Sequence, residues 1–340
     1  MIPAMTASNS SASYSANGAK PLIRFVFAAF AWILCNGSAV AQDFPSRPLH
    51  FIMPSAGGGT DIMTRLLGAH LTESLGQQVL VENRPGGNGM VAVTAFKGMR
   101  RDGHTLLMIN PFIGANQALY DELPYDYRKD FEPVAVAFHN YFYFVSSVDG
   151  PIKTLKDLIA YAKAKPGAVN FGAPVSSISQ RMWVEVFNRE LGLKMTFIGY
   201  KTATAAVQAL RAGDIQLMNV GLPAIGPIAK AGKANLIALG APRRSPTTRE
   251  VPTVEEAGGP RGFVSDSWVG YVTHAGVPQA NVQRLNKAIL AALREPKVKQ
   301  FFSDNDYSIM DLSPAEFRAL IEKDTELYVR IIRQMGLKPE

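Results

Sequence analysis

The chain predicts an α/β protein built on parallel sheets, and three observations predict it. Short apolar runs alternate with helix-periodic segments along most of the length, the pattern of strands joined by crossover helices. Apolar residues make up 47% of the 340 and charged ones only 19%, which supplies a buried core and excludes a disordered or fibrous chain. Glycine and proline are frequent (29 and 22), so tight turns are many. The length suits about two domains. A single cysteine excludes a disulfide framework and a cysteine-based metal cluster.

A leader comes first. Lys20 and Arg24 precede an apolar run from Phe25 to Cys35, and Ala39-Val40-Ala41 follows with a small-x-small pattern. This is the layout of an export signal peptide over residues 1–41, with the periplasm as the destination. The run is too short to span a membrane, which takes about 20 apolar residues. Cleavage removes the only cysteine, so the exported chain carries no thiol to oxidise.

Leu49–Met53 reads as the first strand and Pro54–Asp61 as a glycine-rich loop. Thr60 can cap the next helix, whose positions Met63, Leu67 and Leu71 recur at helical spacing. Gln78–Glu82 is a strand, Asn83–Gly89 a second glycine-rich turn, Met90–Lys97 a helix and Thr105–Ile109 a strand. A second set starts near Val148. Thr154 caps a helix over Leu155–Lys165, and Ala168–Phe171 is a strand. The loop Gly172–Ser179 leads into a helix ending at Leu191, where Ser177 and Gln180 have capping-box spacing. Met195–Tyr200, Ile215–Val220, Leu236–Leu239 and Val269–Thr273 are strands, and Ala203–Ala212 is a helix. The tail is helical, with caps at Asn281 and Ser313.

Four strand-to-helix loops share one composition of Gly, Ser, Thr and Asn: PSAGGGTD, NRPGGNG, GAPVSSIS and GYKTAT. A parallel sheet gathers such loops at the carboxyl ends of its strands. Each following helix points unpaired amides there, equivalent to about half a positive charge. The arrangement suits an anion held by backbone amides and hydroxyls, with no arginine clamp. No charged pocket partner for an ammonium stands in Gly172–Gln180 or Met218–Gly226, so the expected ligand is an organic anion without an amino group.

Other chemistries find no support. GxGxxG, GxxxxGK[ST] and GxSxG are absent, and the histidines His50, His70, His104, His139 and His274 are scattered without metal spacing. No catalytic residue, cofactor or metal is expected. The net charge of +7 is spread along the chain without a dense basic cluster, so nucleic acid is not expected as a partner.

Read in order, FPSRPLHFIMPSAGGGTDIMTRLLGAHLTESLGQQVLVENRPGGNGMVAV, DGHTLLMIN, LPYDYRKDFEPVA, KTLKDLIAYAKAKPGAVNFG, GYKTATAAVQALRAGDIQLM, VPTVEEAG and SWVGYVTHAGVP resemble the Bug family. These are the extracytoplasmic solute receptors of tripartite tricarboxylate transporters. The resemblance runs from Phe44 to Leu337. It implies a two-lobed class II periplasmic binding protein fold with the ligand cleft between lobes, the chain crossing near Val145–Gly150 and near Ser267–Gly270. Lobe 1 would be residues 42–147 and 269–340, and lobe 2 residues 148–268.

The same resemblance implies the ligand contacts: Ser55, Ala56, Gly57, Gly58 and Asp61 in lobe 1, and Ala173, Val175, Ser177, Ser179, Tyr200, Lys201, Thr202 and Asn219 in lobe 2. Val175 and Ser177 stand where the family loop usually has glycine, Arg181 where it has histidine, and Thr202 where glycine follows Tyr-Lys. The implied role is non-catalytic capture of a di- or tricarboxylate or an aromatic acid, by a monomer that hands it to membrane permease subunits. A sensor presenting the bound acid to a signalling partner, or a secreted enzyme acting on it, are the alternatives.

Overall fold

The computed structural model describes residues Met1, 44–55, 58–175 and 177–338. The chain divides into two units, Met1–Asp43 and Phe44–Glu340, and everything below concerns the second. The expected signal peptide with its Ala41 cleavage point lies outside the described residues, as do Ala56 and Gly57. Among the described residues no helix is long and apolar enough to cross a membrane.

The first half runs β1 (Leu49–Met53), α1 (Gly58–Leu75), β2 (Val79–Asn83), α2 (Met90–Lys97), β3 (Thr105–Ile109), α3 (Phe112–Leu119), α4 (Tyr127–Asp130) and the long β4 (Phe131–Tyr141). Then come β5 (Tyr143–Ser146), α5 (Leu155–Ala164), β6 (Asn170–Pro174), α6 (Ile178–Glu190), β7 (Thr196–Tyr200), α7 (Ala203–Ala212), β8 (Leu217–Val220), α8 (Leu222–Lys230) and β9 (Asn235–Leu239). The tail is β10 (Asp266–His274), α9 (Gln279–Leu293), α10 (Pro296–Asn305), β11 (Tyr307–Ser308) and α11 (Pro314–Met335).

The caps follow local chemistry. Thr154 and Asp157 close a reciprocal capping box on α5, and Ser313 and Glu316 do the same on α11. Three expected caps differ. Helix α1 begins at Gly58, so Thr60 lies inside its first turn. Helix α9 starts at Gln279 behind Pro278, so Asn281 also lies inside the helix. Ser177 stands at the N-cap of α6 but makes no side-chain cap bond, since its φ of −108° and ψ of 69° leave the extended region a capping side chain needs.

The strands form two sheets, in the orders β11-β4-β10-β3-β1-β2 and β7-β6-β8-β5-β9. Parallel pairing holds for β1 with β2 and β3, and for β6 with β7 and β8. It fails at β10 and β5, which run antiparallel to both their neighbours. Both strands arrive directly from the other sheet, without the helical crossover that parallel neighbours require.

The chain passes between the sheets at Phe142 and returns at Ser265. The Phe142 N–H donates to the Ser265 carbonyl (2.8 Å), and the Phe142 carbonyl accepts from the Gly240 N–H (2.9 Å). Both passes fall earlier than expected, and Tyr143–Ser146 belongs with the second sheet. A strand that changes sheets without a turn carries no Gly or Pro to mark the point, and the run YFYFVSSV has neither.

Each sheet is buried on both faces. Phe51, Leu67, Leu106 and Leu285 fill one side of the first sheet, and Phe96, Leu107, Phe112 and Phe317 the other. Phe144, Phe171 and Phe187 fill one side of the second sheet, and Val145, Leu210 and Met218 the other. Ile178 and Met182 of α6 pack into the first sheet's cluster, so that helix touches both halves.

Two stability outcomes follow. Helices α3 and α11 meet backbone to backbone at Gly114, where a Cβ would stand 2.7 Å from Thr325 Cα. Gly114→Ala is expected to cost roughly 1–3 kcal/mol through overpacking, read from urea unfolding. Asp102 takes two bonds from the Arg47 guanidinium (2.9 and 2.8 Å) and one from the His104 N–H (3.1 Å). Burial opposes its charge, but these donors outweigh it and hold the carboxyl down at about 2. A depressed folded pKa stabilises fully above the unfolded value near 4, and the gain fades as pH falls towards 2. The pair is about a third exposed, so Arg47→Ala should lose no more than about 1 kcal/mol at pH 7. That deficit should shrink markedly as pH falls from 4 towards 2, and a deficit unchanged over that range would exclude the ion pair as its source.

Candidate functional site

A cleft of about 550 Å³ opens over the carboxyl ends of the strands, with walls from both sheets. The first sheet contributes Pro54, Ser55, Gly59 and Thr60 after β1, Pro85–Asn88 after β2, and Met108 and Asn110 at the end of β3. The second contributes Pro174, Val175, Ser177 and Gln180 around the start of α6, Lys201–Ala203, and Val220, Gly221, Pro223 and Ala224. Phe138, Asn140, Phe142, Ser267 and Val269 of the crossing strands, with Tyr307, complete it. A separate crevice beside Tyr127 and Arg318 holds only about 10 Å³, too little for a solute.

The helices that start here aim their amino ends at the cleft. Helix α1 opens at Gly58, α6 at Ile178 and α8 at Leu222, and neither α6 nor α8 has a side-chain cap to occupy its first amides. Helix α7 differs: Thr202 Oγ1 accepts from the Ala205 N–H (3.1 Å), so that hydroxyl is already engaged.

Side chains supply further donors. Asn110 Oδ1 accepts from the Phe112 N–H (2.9 Å), which orients the amide and leaves its NH2 as the free end. Asn88 sits at a left-handed φ of 46°, held by a reciprocal pair: its Nδ2 donates to Asn116 Oδ1 (2.5 Å), and Asn116 Nδ2 donates to the Asn88 carbonyl (3.1 Å). Gln180 is buried, and its Oε1 has no partner among the described residues. The described lining holds one charged side chain, Lys201, and no carboxylate. Phe138, Phe142, Met108, Val220 and Val269 give it an apolar floor. No group of His, Cys, Asp or Glu among the described residues is placed to hold a metal ion.

Of the residues expected at the site, Ser55, Val175, Ser177, Lys201 and Thr202 line the cleft, and Gly58 opens the helix beside it. Ala56 and Gly57 lie outside the described residues. The others sit behind the wall. Asp61 accepts from Asn83 Nδ2 (2.9 Å) and Arg65 Nε (3.2 Å), bracing the loop after β1, while Asn83 Nδ2 also donates to the Ser55 carbonyl (2.5 Å). Ala173 is buried inside β6, and the Tyr200 ring lies over Gly172 of that strand. Ser179 is buried and accepts from the Tyr328 hydroxyl (2.8 Å), tying α6 to α11. Asn219 is buried against Ser265 at the return pass (3.4 Å).

Sequence reading did not single out Asn88, Asn110, Asn140, Gln180, Ser267 or Tyr307. The first two were within reach, because they follow β2 and β3 at the same sheet edge as Ser55. The rest depend on strand register and tertiary packing.

The description "Tripartite tricarboxylate transporter family receptor" matches residues 63–337. Protein BugT of Bordetella pertussis is 29% identical over 316 residues, which cover 92% of this chain and 96% of that one. The solved structure of R. palustris Rpa4515 with adipate is 27% identical with a TM-score of 0.81, covering 86% of this chain and 99% of that one. MatC of Rhodopseudomonas palustris, with bound malate, is 28% identical with a TM-score of 0.78, covering 85% and 100%. With the family match running over residues 63–337, the chain belongs to the tripartite tricarboxylate transporter receptor family.

Proposed function

We infer that the protein is a periplasmic solute receptor that binds a small organic carboxylate in this cleft and delivers it to the membrane subunits of a tripartite tricarboxylate-type transporter. One observation carries the reading: the cleft is lined by helix amino ends, amides, hydroxyls and Lys201, with no carboxylate among its described residues. Such a lining stabilises negative charge without neutralising it by an arginine clamp. An ammonium would enter without an acidic partner, at high cost. The ligand is therefore an acid without an amino group. Adipate and malate in the related structures are of that kind.

The contacts proposed for the acid are Ser55 and the first turn of α1 on one wall, and Ser177, Lys201 and the start of α6 on the other. Ala56 and Gly57 belong to the same loop. A ligand that touches both walls favours the closed arrangement of a hinged protein by its extra affinity for that state. Export through the amino-terminal leader and action as a monomer complete the proposal.

Thermal-shift screening of the purified protein against adipate, malate, citrate, benzoate and glutamate tests it. An acid at 100 times its Kd should add about 2.7 kcal/mol of stability. Lys201→Ala and Ser177→Ala should each weaken binding of that acid, by roughly 1 kcal/mol for a lost hydrogen bond and up to about 3 for a bond to charge. Stabilisation by glutamate alone would overturn the assignment.

A further inference from the structure

Tyr307, the first residue of β11, lines the cleft although it lies far along the chain from the glycine-rich loops. Its ring lies flat on Phe138, with centroids 4.1 Å apart and planes 4° from parallel. Phe301 and Phe302 pack edge-on against it, both at 5.9 Å. The ring alone satisfies this packing, and the hydroxyl adds nothing to it. Tyr307 Oη has no hydrogen-bond partner among the described residues, although its surroundings are desolvated enough to push the phenol well up and keep it protonated. The hydroxyl opens on the cleft, where solvent or a bound group can take its hydrogen bond.

Its position says what that partner is. A Cβ on Gly59 would stand 2.4 Å from Tyr307 Oη, so the phenol oxygen lies directly over the first turn of α1. The glycine makes the approach possible. The amides of that turn have no acceptor within the helix. The phenol O–H therefore stands beside the helix turn whose first amides open on the same cleft, with Pro223 packed against the same glycine.

The placement also depends on both halves of the protein. Phe138 belongs to β4 of the first sheet. Asp306, next to Tyr307 and itself at a left-handed φ of 58°, accepts from the Tyr143 hydroxyl (2.7 Å) and from Ser245 Oγ (2.5 Å). Tyr143 lies in the second sheet, and Ser245 in the segment between β9 and the return pass.

We propose that Tyr307 is a ligand-anchoring, specificity-determining residue: its hydroxyl donates to the carboxylate that the first turn of α1 receives. The proposal rests on the carboxylate reading given above. The bonds of Asp306 to Tyr143 and Ser245 hold the start of β11 against the second half of the protein and so fix where the phenol stands.

Titration calorimetry of the wild type and Tyr307→Phe with adipate, malate, citrate and benzoate tests the proposal. Phenylalanine keeps the ring and its stack and removes one oxygen. For the acid that the wild type binds most tightly, Tyr307→Phe should lower affinity about tenfold, with the ligand-free Tm unchanged or higher. Gly59→Ala, which displaces the phenol oxygen and leaves it in the protein, should lower affinity in the same direction. A purely structural tyrosine would give the opposite pair, a lower ligand-free Tm with unchanged affinity, and that result would overturn the proposal. Equal affinities of wild type and Tyr307→Phe would overturn it while leaving the carboxylate reading intact. Failure of the wild type to bind any of the four acids would overturn both.

Discussion

The peptide group of Phe142 is the point on which the two sheets turn. Its N–H reaches the Ser265 carbonyl and its carbonyl takes the Gly240 N–H, while the Ser265 N–H returns to the Gly240 carbonyl. Three stretches of backbone are tied together here, and Gly240 has no room for a side chain, since a Cβ would stand 2.9 Å from the Ser265 nitrogen. Nearby, Asn219 donates to Ser265 Oγ. A pair of adjacent passes leaves rotation about them as the soft motion, while each sheet keeps its own doubly covered core. Phe142 also lines the cleft, so the cleft opens directly over these passes.

The cleft's electrostatics follow from the same geometry. Helices that follow parallel strands begin at one sheet edge, and two such edges face each other across the passes. Their amide dipoles are fixed by the backbone and cost little to orient when an anion arrives. Side-chain carboxylates near the cleft are committed elsewhere. Asp61 is held by Asn83 and Arg65, and Asp306 by Tyr143 and Ser245. With these carboxylates turned to partners outside the lining, Lys201 is its one charged side chain among the described residues.

The fold was largely legible because strand and helix periods differ and glycine marked the turns between them. The parallel β1, β2 and β3 and the helices after the first two follow from local pattern alone, whereas α3 after β3 was missed. The direct passes were not, because a strand that runs from one sheet to the other has no punctuation at the change. The site divides in the same way. Composition marked the loops that carry Ser55, Ser177, Lys201 and Thr202, since loops at strand ends meet by topology, and the family resemblance picked out the residues. Asp61 and Ser179 share that composition, yet their partners Asn83 and Tyr328 lie 22 and 149 residues away, and such pairings leave no local trace. The aromatic wall was illegible for a related reason: Phe138 and Tyr307 read as ordinary core residues until their register brings them together.

The departures in the loop after β6 acquire a physical meaning in this setting. Val175 occupies a place where the family loop usually has glycine, and it is 42% exposed at the cleft. Its Cγ1 lies 2.7 Å from where a Cβ on Gly199 would stand, so glycine at 199 leaves room for it. β6 and β7 stay paired beside it, with the Val175 N–H on the Tyr200 carbonyl at 2.9 Å. Ser177, whose hydroxyl does not cap its helix, and Lys201 stand in the same wall. A branched apolar group at the rim makes that part of the wall a better neighbour for carbon than for charge.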